Sequence, residues 1–332
     1  MNRSRSRGRA LVVLSVANLA GIVVLWFLGS FVAERWWPCA ILTYLPQLPF
    51  GAPLALLLAW SLWRRNRPAV IVNALAGLFF LLGPMGFQLR LPLRTPGRPV
   101  LRVMTYNIRG GTRGLSGALR AVRQAQPDVV CLQEAGLNSE AATRRLEHAI
   151  RAGLPGYVGR RAESVMTLTR LPIVRVQSRR LLPGRRSRPL LRVTVDFRGR
   201  LLTVANVHFV LSTPITHIRT LGVRGFVDTA TEIRKAQTDA LLEAMANETR
   251  PHIVCGDLNT PPRGMVYGSL ARRWQDTFAA AGMGFGYTFA SRAPLLRIDY
   301  VWLSPGLRPV RVLVPPSRAS DHRPVVADVV LR

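Results

Sequence analysis

Hydrophobic and polar positions divide the chain into two unlike parts. From Ala10 to Ala33 no side chain is ionisable, which at helical rise is enough to cross a hydrocarbon layer of ~30 Å. A second uncharged stretch runs from Trp36 to Trp63 and a third from Pro68 to Leu89. The pattern predicts an anchor over residues 1–89 with three transmembrane helices, about 10–33, 36–63 and 68–89. Pro38, Pro46, Pro49 and Pro53 interrupt the middle one, which reads as a kinked span or a re-entrant segment. A cleaved signal peptide fits poorly. The first apolar run is too long, and Phe31-Val32-Ala33 lacks a small residue at the −3 position.

Residues 90–99 follow as a stiff linker carrying Pro92, Pro96, Gly97 and Pro99. Beyond it, short apolar runs predict strands at Leu101–Tyr106, Val129–Leu132, Val165–Leu168, Leu190–Phe197, Leu201–Val207, His252–Cys255, Ile298–Leu303 and Val325–Leu331. Several are apolar on both faces, as strands buried between layers are. Helices are predicted at Ser116–Ala125, Ser139–Ala152 and Thr229–Ala246, with Ser116 and Ser139 as N-caps. Strands outnumber helices and alternate with them irregularly, so residues 100–332 read as packed sheets with helices outside them.

Composition sharpens this division. With 48% hydrophobic residues the chain can build a core, which excludes disorder as its main state. Three cysteines, Cys39, Cys131 and Cys255, exclude a disulfide scaffold and read as buried thiols. The net charge is +29, of which residues 1–99 carry +10 and the remainder +19. The excess is almost all arginine, with Lys235 the only lysine. A basic unit next to a bilayer is drawn to polyanions, nucleic acid or anionic head groups. Arg3, Arg5, Arg7 and Arg9 precede the first span, and Arg64, Arg65 and Arg67 separate the second from the third. Both clusters are expected to face the cytoplasm. An odd number of spans then places the C-terminal unit outside, at a bacterial inner (plasma) membrane.

The chemistry-bearing residues sit at strand ends. Asn107 follows the first strand, Gln133-Glu134 the second, and Asn206 and His208 close Leu202–Ala205. Gly256-Asp257-Leu258-Asn259 follows Ile253–Cys255, Asp299 lies in Arg297-Ile298-Asp299-Tyr300, and Ser320-Asp321-His322-Arg323-Pro324 precedes the last strand. Carboxylates and amides are costly at such positions unless they bind something. Hard oxygen donors without a Cys/His quartet suit Mg²⁺, and also Mn²⁺ or Ca²⁺, in place of structural zinc.

These segments, in this order across residues 101–331, resemble the endonuclease/exonuclease/phosphatase superfamily of DNase I-like phosphoesterases. The resemblance implies an α+β, four-layer αββα sandwich and, with the anchor, a membrane-tethered bacterial-type member. It implies that Glu134 is the principal metal ligand, with Asn107 and Asp321 near the same ion. His322 resembles the family's catalytic histidine and Asp299 the carboxylate that orients it. Asp257 would align or deprotonate the attacking water, Asn259 would donate its amide to a phosphate oxygen, and His208 would contact phosphate or protonate the leaving oxygen. Arg234 and Gln237 resemble an Arg-x-x-Gln pattern and would support the site. Whether His322 or Asp257 is the base stays open here.

The function implied is divalent-metal-dependent hydrolysis of a phosphate ester by activated water, on nucleic acid or a phospholipid or sphingolipid head group. The alternative is a catalytically silent tethered module that binds anionic polymer or lipid. Between His208 and the Arg234 helix, Leu211, Ile215, Leu221, Val223 and Phe226 with Arg219 and Arg224 read as a long loop that selects substrate, touches a membrane or simply packs. Phe285, Tyr287 and Phe289 read as a candidate wall or core packing, and His148, His217 and His252 as surface or packing residues.

Overall fold

The computed structural model describes residues 2–91, 97–184, 188–209 and 218–332, with side chains omitted for residues 2–7 and 218. Pro92, Pro96, Leu211, Ile215 and His217 therefore lie outside the described residues. The chain divides into a first compact unit, Met1–Gln88, and a second that holds Leu89–Pro262 and Val266–Arg332.

In the first unit α1 (Asn2–Phe27) runs on through a π turn, Leu28–Val32, and a 3₁₀ turn, Ala33–Arg35. The helical run Gly8–Arg35 is long and apolar enough to cross a membrane. The middle stretch is not a straight span. Its helix α2 (Trp37–Tyr44) and the run Leu48–Trp63, which contains α3 (Ala52–Trp63), meet at 90°. Pro46 lies at the break, where a missing N–H and a fixed φ end a helix, and Pro49 stands in the turn that opens the second run. The third, α4 (Arg67–Leu82), measures only about 24 Å at 1.5 Å per residue. The unit is held partly by polar contacts. Buried Asn73 on α4 donates to Ser15 Oγ at 2.9 Å and Ser61 Oγ at 3.0 Å, tying α1, α3 and α4 together. Its outer faces expose Val13, Leu56, Trp63 and Ile71.

The second unit contains two six-stranded sheets among the described residues. In chain order the strands are β1 (Leu101–Asn107), β2 (Val129–Gln133), β3 (Val158–Ala162), β4 (Val165–Thr169), β5 (Ile173–Arg180), β6 (Pro189–Phe197), β7 (Arg200–His208), β8 (His252–Asp257), β9 (Gln275–Asp276), β10 (Asp299–Leu303), β11 (Leu307–Leu313) and β12 (Val325–Leu331). Sheet A has the order β11-β12-β1-β2-β4-β3 and sheet B the order β9-β10-β8-β7-β6-β5. The helices are α5 (Leu115–Ala125), α6 (Glu140–Gly153), α7 (Ile218–Met245), α8 (Gly264–Arg273) and α9 (Thr277–Ala281).

Alternation along the strands builds the layers. Leu101, Val103, Cys131, Val193, Val204, Cys255, Val301 and Val329 face one another between the sheets. Met104, Tyr106 and Met166 turn the other way, against Leu119, Val122 and Ile150 of α5 and α6. Ala205, Val254 and Trp302 pack on Leu241 and Met245 of α7. The result is the expected four-layer sandwich, and all three cysteines are buried and free.

Four strands were not legible in the sequence: β3, β5, β9 and β11. Each lies at an edge of its sheet, where solvent replaces a neighbour and charged residues are tolerated; β5 reads Ile-Val-Arg-Val-Gln-Ser-Arg-Arg. Ser139 caps α6 as expected, accepting from Ala142 N at 3.2 Å. Ser116 does not cap α5, which begins one residue earlier behind Gly114. Among the described residues helix α7 runs from Ile218, ahead of the expected Thr229, with a break at Gly222 (φ 65°). Arg219, Leu221, Val223, Arg224 and Phe226 are consequently helical and not part of a loop.

His252 is a packing residue, receiving the Trp274 indole N–H at 2.9 Å, while His148 is exposed. Arg297 is structural. It forms a 2.7 Å ion pair with Asp276, their side chains 6% and 4% exposed, and lies over the rings of Phe278 and Tyr300. Asp276 also accepts from Tyr267 OH and from Phe278 N at the start of α9. Replacing Arg297 by Met would leave that carboxylate buried without its counter-charge, a loss of about 3–5 kcal/mol. Hydrogen exchange of the β10 amides should speed up accordingly; unchanged protection would contradict this role.

Candidate active site

Strand direction brings the polar residues together. The pair β1/β2 is parallel with Asn107 opposite Gln133, and the pair β7/β8 is parallel with His208 opposite Asp257. Strand β10 runs antiparallel to β8 with Asp299 opposite Asp257, and β12 starts antiparallel to β1 just after His322. Four strands therefore end, and two begin, at the same end of the sandwich.

Asn107 is fully buried, and its amide nitrogen donates to Glu134 Oε1 and to Asp257 Oδ2, both at 3.0 Å. Its oxygen accepts from Arg109 N at 3.0 Å. Glu134 takes left-handed backbone (φ 51°), which costs roughly 1–2 kcal/mol in a residue with a Cβ. Its carboxylate is 38% exposed, the most accessible of the cluster. Gly256 is required by the parallel pair, since a Cβ there would overlap the Val207 carbonyl oxygen. Asp257 Oδ1 accepts from Asn259 N at 2.9 Å, closing an Asx-turn. Asn259 spends one amide N–H on Phe209 O at 2.8 Å and keeps the second.

His322 Nδ1 lies 2.9 Å from Asp299 Oδ2, and its Nε2 lies 3.7 Å from Asp257 Oδ2. Burial disfavours the imidazolium, but the charges of Asp299 and Asp257 outweigh it and push the pKa up to about 10. Burial, with the charge of Asp299, pushes Asp257 up to about 7 against the opposing His322 cation. His208 Nε2 stands 3.7 Å from Asp257 Oδ2 and 3.9 Å from Glu134 Oε1. Burial, helped by the charges of Arg188 and His322, pulls its pKa down to about 3, so it is neutral.

Asp321 accepts from Arg109 Nη1 at 2.6 Å and from Ser320 Oγ at 3.2 Å. Arg234 and Gln237 are buried on α7 and enter none of these contacts. Three further residues contribute, of which Gln133 and Phe289 stand out in the sequence as a strand-end amide and a candidate wall, and only Arg109 has no local signal. Arg109 engages Asp321, and the Phe289 ring lies 5.0 Å from that of His322. Gln133 donates to Asn206 Oδ1 at 2.8 Å and accepts from Thr105, a buried polar bridge between the sheets.

The donor set fits a hard divalent cation. Glu134 offers an accessible carboxylate, and buried Asp257 and Asp299 lie with His322 in a compact cluster whose polar atoms are within 4.8 Å of one another; the carboxylate oxygens are the donors, since both nitrogens of a protonated imidazole carry hydrogen. Oxygen donors with room for water suit Mg²⁺-like ions. With an acid raised towards neutrality beside a cationic imidazole, the arrangement has the pair of perturbed groups that proton-transfer chemistry requires.

Among curated proteins none matches. Solved structures do. An endonuclease/exonuclease/phosphatase from Beutenbergia cavernae DSM 12333 is 24% identical, covering 70% of this chain and 72% of its own, with a TM-score of 0.54. One from Bacteroides vulgatus is 18% identical, covering 71% and 100%, with a TM-score of 0.56. A mannosyl-6-phosphatase from Bacteroides thetaiotaomicron VPI-5482 is 17% identical, covering 70% and 100%, with a TM-score of 0.54. These likenesses establish the shared fold. The sequence pattern of the Endonuclease/Exonuclease/phosphatase family matches residues 104–322, from within β1 to His322 itself, and the chain belongs to that family.

Proposed function

We propose that this chain is a membrane-tethered, divalent-metal-dependent phosphoesterase that cleaves a P–O bond by direct attack of water. The observation that carries the reading is the convergence of Asn107, Glu134, Asp257, Asp299, His208 and His322 at one end of the two sheets. Glu134 is the ligand best placed to hold the cation, with Asn107 and Asp257 beside it and Asp321 the further candidate. When bound, such a cation supplies charge neutralisation for the phosphoryl and leaving oxygens.

The protein's own groups divide the remaining work. His322 carries its proton between Asp299 and Asp257, so it acts as a cationic donor to a phosphoryl oxygen, with Asp299 fixing the ring. Asp257, held near neutrality, takes the proton from the attacking water. Neutral His208 presents Nε2 to the same space and hydrogen-bonds the phosphoryl group, and the second N–H of Asn259 is available for another oxygen. Arg234 and Gln237 support α7 behind the site.

The helical run Gly8–Arg35 and the exposed apolar side chains of the first unit support attachment to a bilayer. A single crossing by Gly8–Arg35 would put the second unit opposite the N-terminal arginines, the extracytoplasmic side by their charge. The net +19 of residues 100–332 favours an anionic substrate, nucleic acid or a lipid head group.

The full chain in detergent should hydrolyse bis-p-nitrophenyl phosphate with Mg²⁺ or Mn²⁺, lose the activity in EDTA and regain it on adding metal. Activity that survives EDTA would end the metal-dependent reading. His322→Ala should lower kcat by roughly 10²–10⁴-fold in protein that circular dichroism shows to be folded. Equal rates for mutant and wild type would remove His322 from the mechanism.

A further inference from the structure

Two arginine clusters meet at one end of the first unit. Asn66 caps α4 by accepting from Ala69 N at 3.3 Å, and it donates to Gly8 O of α1 at 2.9 Å. That bond joins the start of the run Gly8–Arg35 to the turn between α3 and α4. Arg9 adjoins Gly8, and Arg64, Arg65 and Arg67 flank Asn66. All four arginines are exposed, and none makes a side-chain hydrogen bond or ion pair among the described residues. Glu34 is the one acidic residue in the sequence from Met1 to Pro99. It lies roughly 40 Å along the helical run from Gly8, where it accepts from Tyr44 OH at 3.1 Å. The arginine end of the anchor therefore has no counter-charge of its own.

At this end a cleft of about 650 Å³ is lined by Ala10 and Leu11 of α1, Trp60 and Trp63 of α3, and Arg64 and Asn66 of the turn. Its volume is that of a small-ligand pocket. Leu11 is buried, whereas Trp60 and Trp63 are 44% and 78% exposed. The Arg64 guanidinium lies 6.0 Å from the centre of the Trp63 ring, so a cation and an aromatic face border the same opening. Leu11 and the two indoles favour hydrocarbon, and Arg64 favours an anion. An inorganic anion would leave the indoles in water, and a zwitterionic lipid would bring its own cation against Arg64. Tryptophan and arginine side by side belong at the level of lipid head groups.

Resting on the membrane-tethered part of the reading above, we propose that this cleft binds one anionic phospholipid from the leaflet on the arginine side. Its phosphate sits at Arg64, and an acyl chain runs along Leu11, Trp60 and Trp63. Arg9, Arg65 and Arg67 add to the positive field that draws it in.

The test is titration of the full chain in detergent with brominated-chain phosphatidylglycerol or phosphatidylcholine, read by quenching of tryptophan fluorescence. Phosphatidylglycerol should reach half-quenching at about fivefold lower concentration, the worth of one arginine near an anionic head group. Arg64→Gln should bring that ratio to about one to two. Arg35→Gln removes the same charge at the other end of the run and should leave the ratio unchanged. Ala10→Phe, at an exposed position on α1, keeps every charge and should weaken phosphatidylglycerol binding by filling the cleft. A wild-type ratio near one, a ratio that Arg64→Gln preserves or Arg35→Gln lowers equally, or binding that Ala10→Phe leaves intact would overturn the site. Flotation of the wild-type chain reconstituted with phosphatidylcholine vesicles reports separately on tethering. A chain that stays behind contradicts the tether, whereas one that floats without lipid preference contradicts the cleft alone.

Discussion

One amide spaces the whole site. Asn107 belongs to sheet A, and its nitrogen donates to Glu134 from the same sheet and to Asp257 from sheet B. Two carboxylates brought out of water towards each other repel, and each would be costly without a partner. The Asn107 N–H groups satisfy one oxygen of each and hold the acids at a separation that a cation and its waters can exploit. Because the two acids come from different sheets, the inter-sheet packing sets the geometry of the chemistry.

That packing is stiff beneath the site. Val103, Cys131, Val204 and Cys255 fill the space between the sheets, and the buried Gln133–Asn206 bridge fixes their register near the strand ends. Close-packed interiors of this kind transmit little slack, so side chains at the strand ends stay where the backbone puts them. His322 is held in the same way, by Asp299 on one side and the Phe289 ring on the other. The left-handed backbone at Glu134 and Arg109 is the local cost of turning sharply at these ends.

Much of this was legible in the sequence because central strands are apolar on both faces and a polar residue at their end stands out. Asn107, Glu134, Asp257, Asp299 and His322 were all found that way, and the structure brings them together. The edge strands β3 and β5 were not legible, since solvent lets them carry arginine and glutamine in place of an apolar run. Nor were the cross-links, because Gln133 and Asn206 or Arg109 and Asp321 are far apart in the chain and nothing local announces the pairing. Helix α7 was shortened because Gly222 and the β-branched residues near its start mask its first turns. In the first unit hydropathy marks three apolar stretches, and the prolines that mark the second as kinked or re-entrant accompany its 90° bend.

The central claim is that Glu134 and its amide-linked neighbours form a site for a hydrated divalent cation. Mn²⁺ titration of the full chain in detergent, followed by electron paramagnetic resonance, tests it without relying on turnover. The account predicts bound Mn²⁺ that Mg²⁺ displaces, with affinity reduced about 10–100-fold in Asn107→Ala and more in Glu134→Gln. Absence of bound Mn²⁺, or binding that both substitutions leave intact, would contradict it.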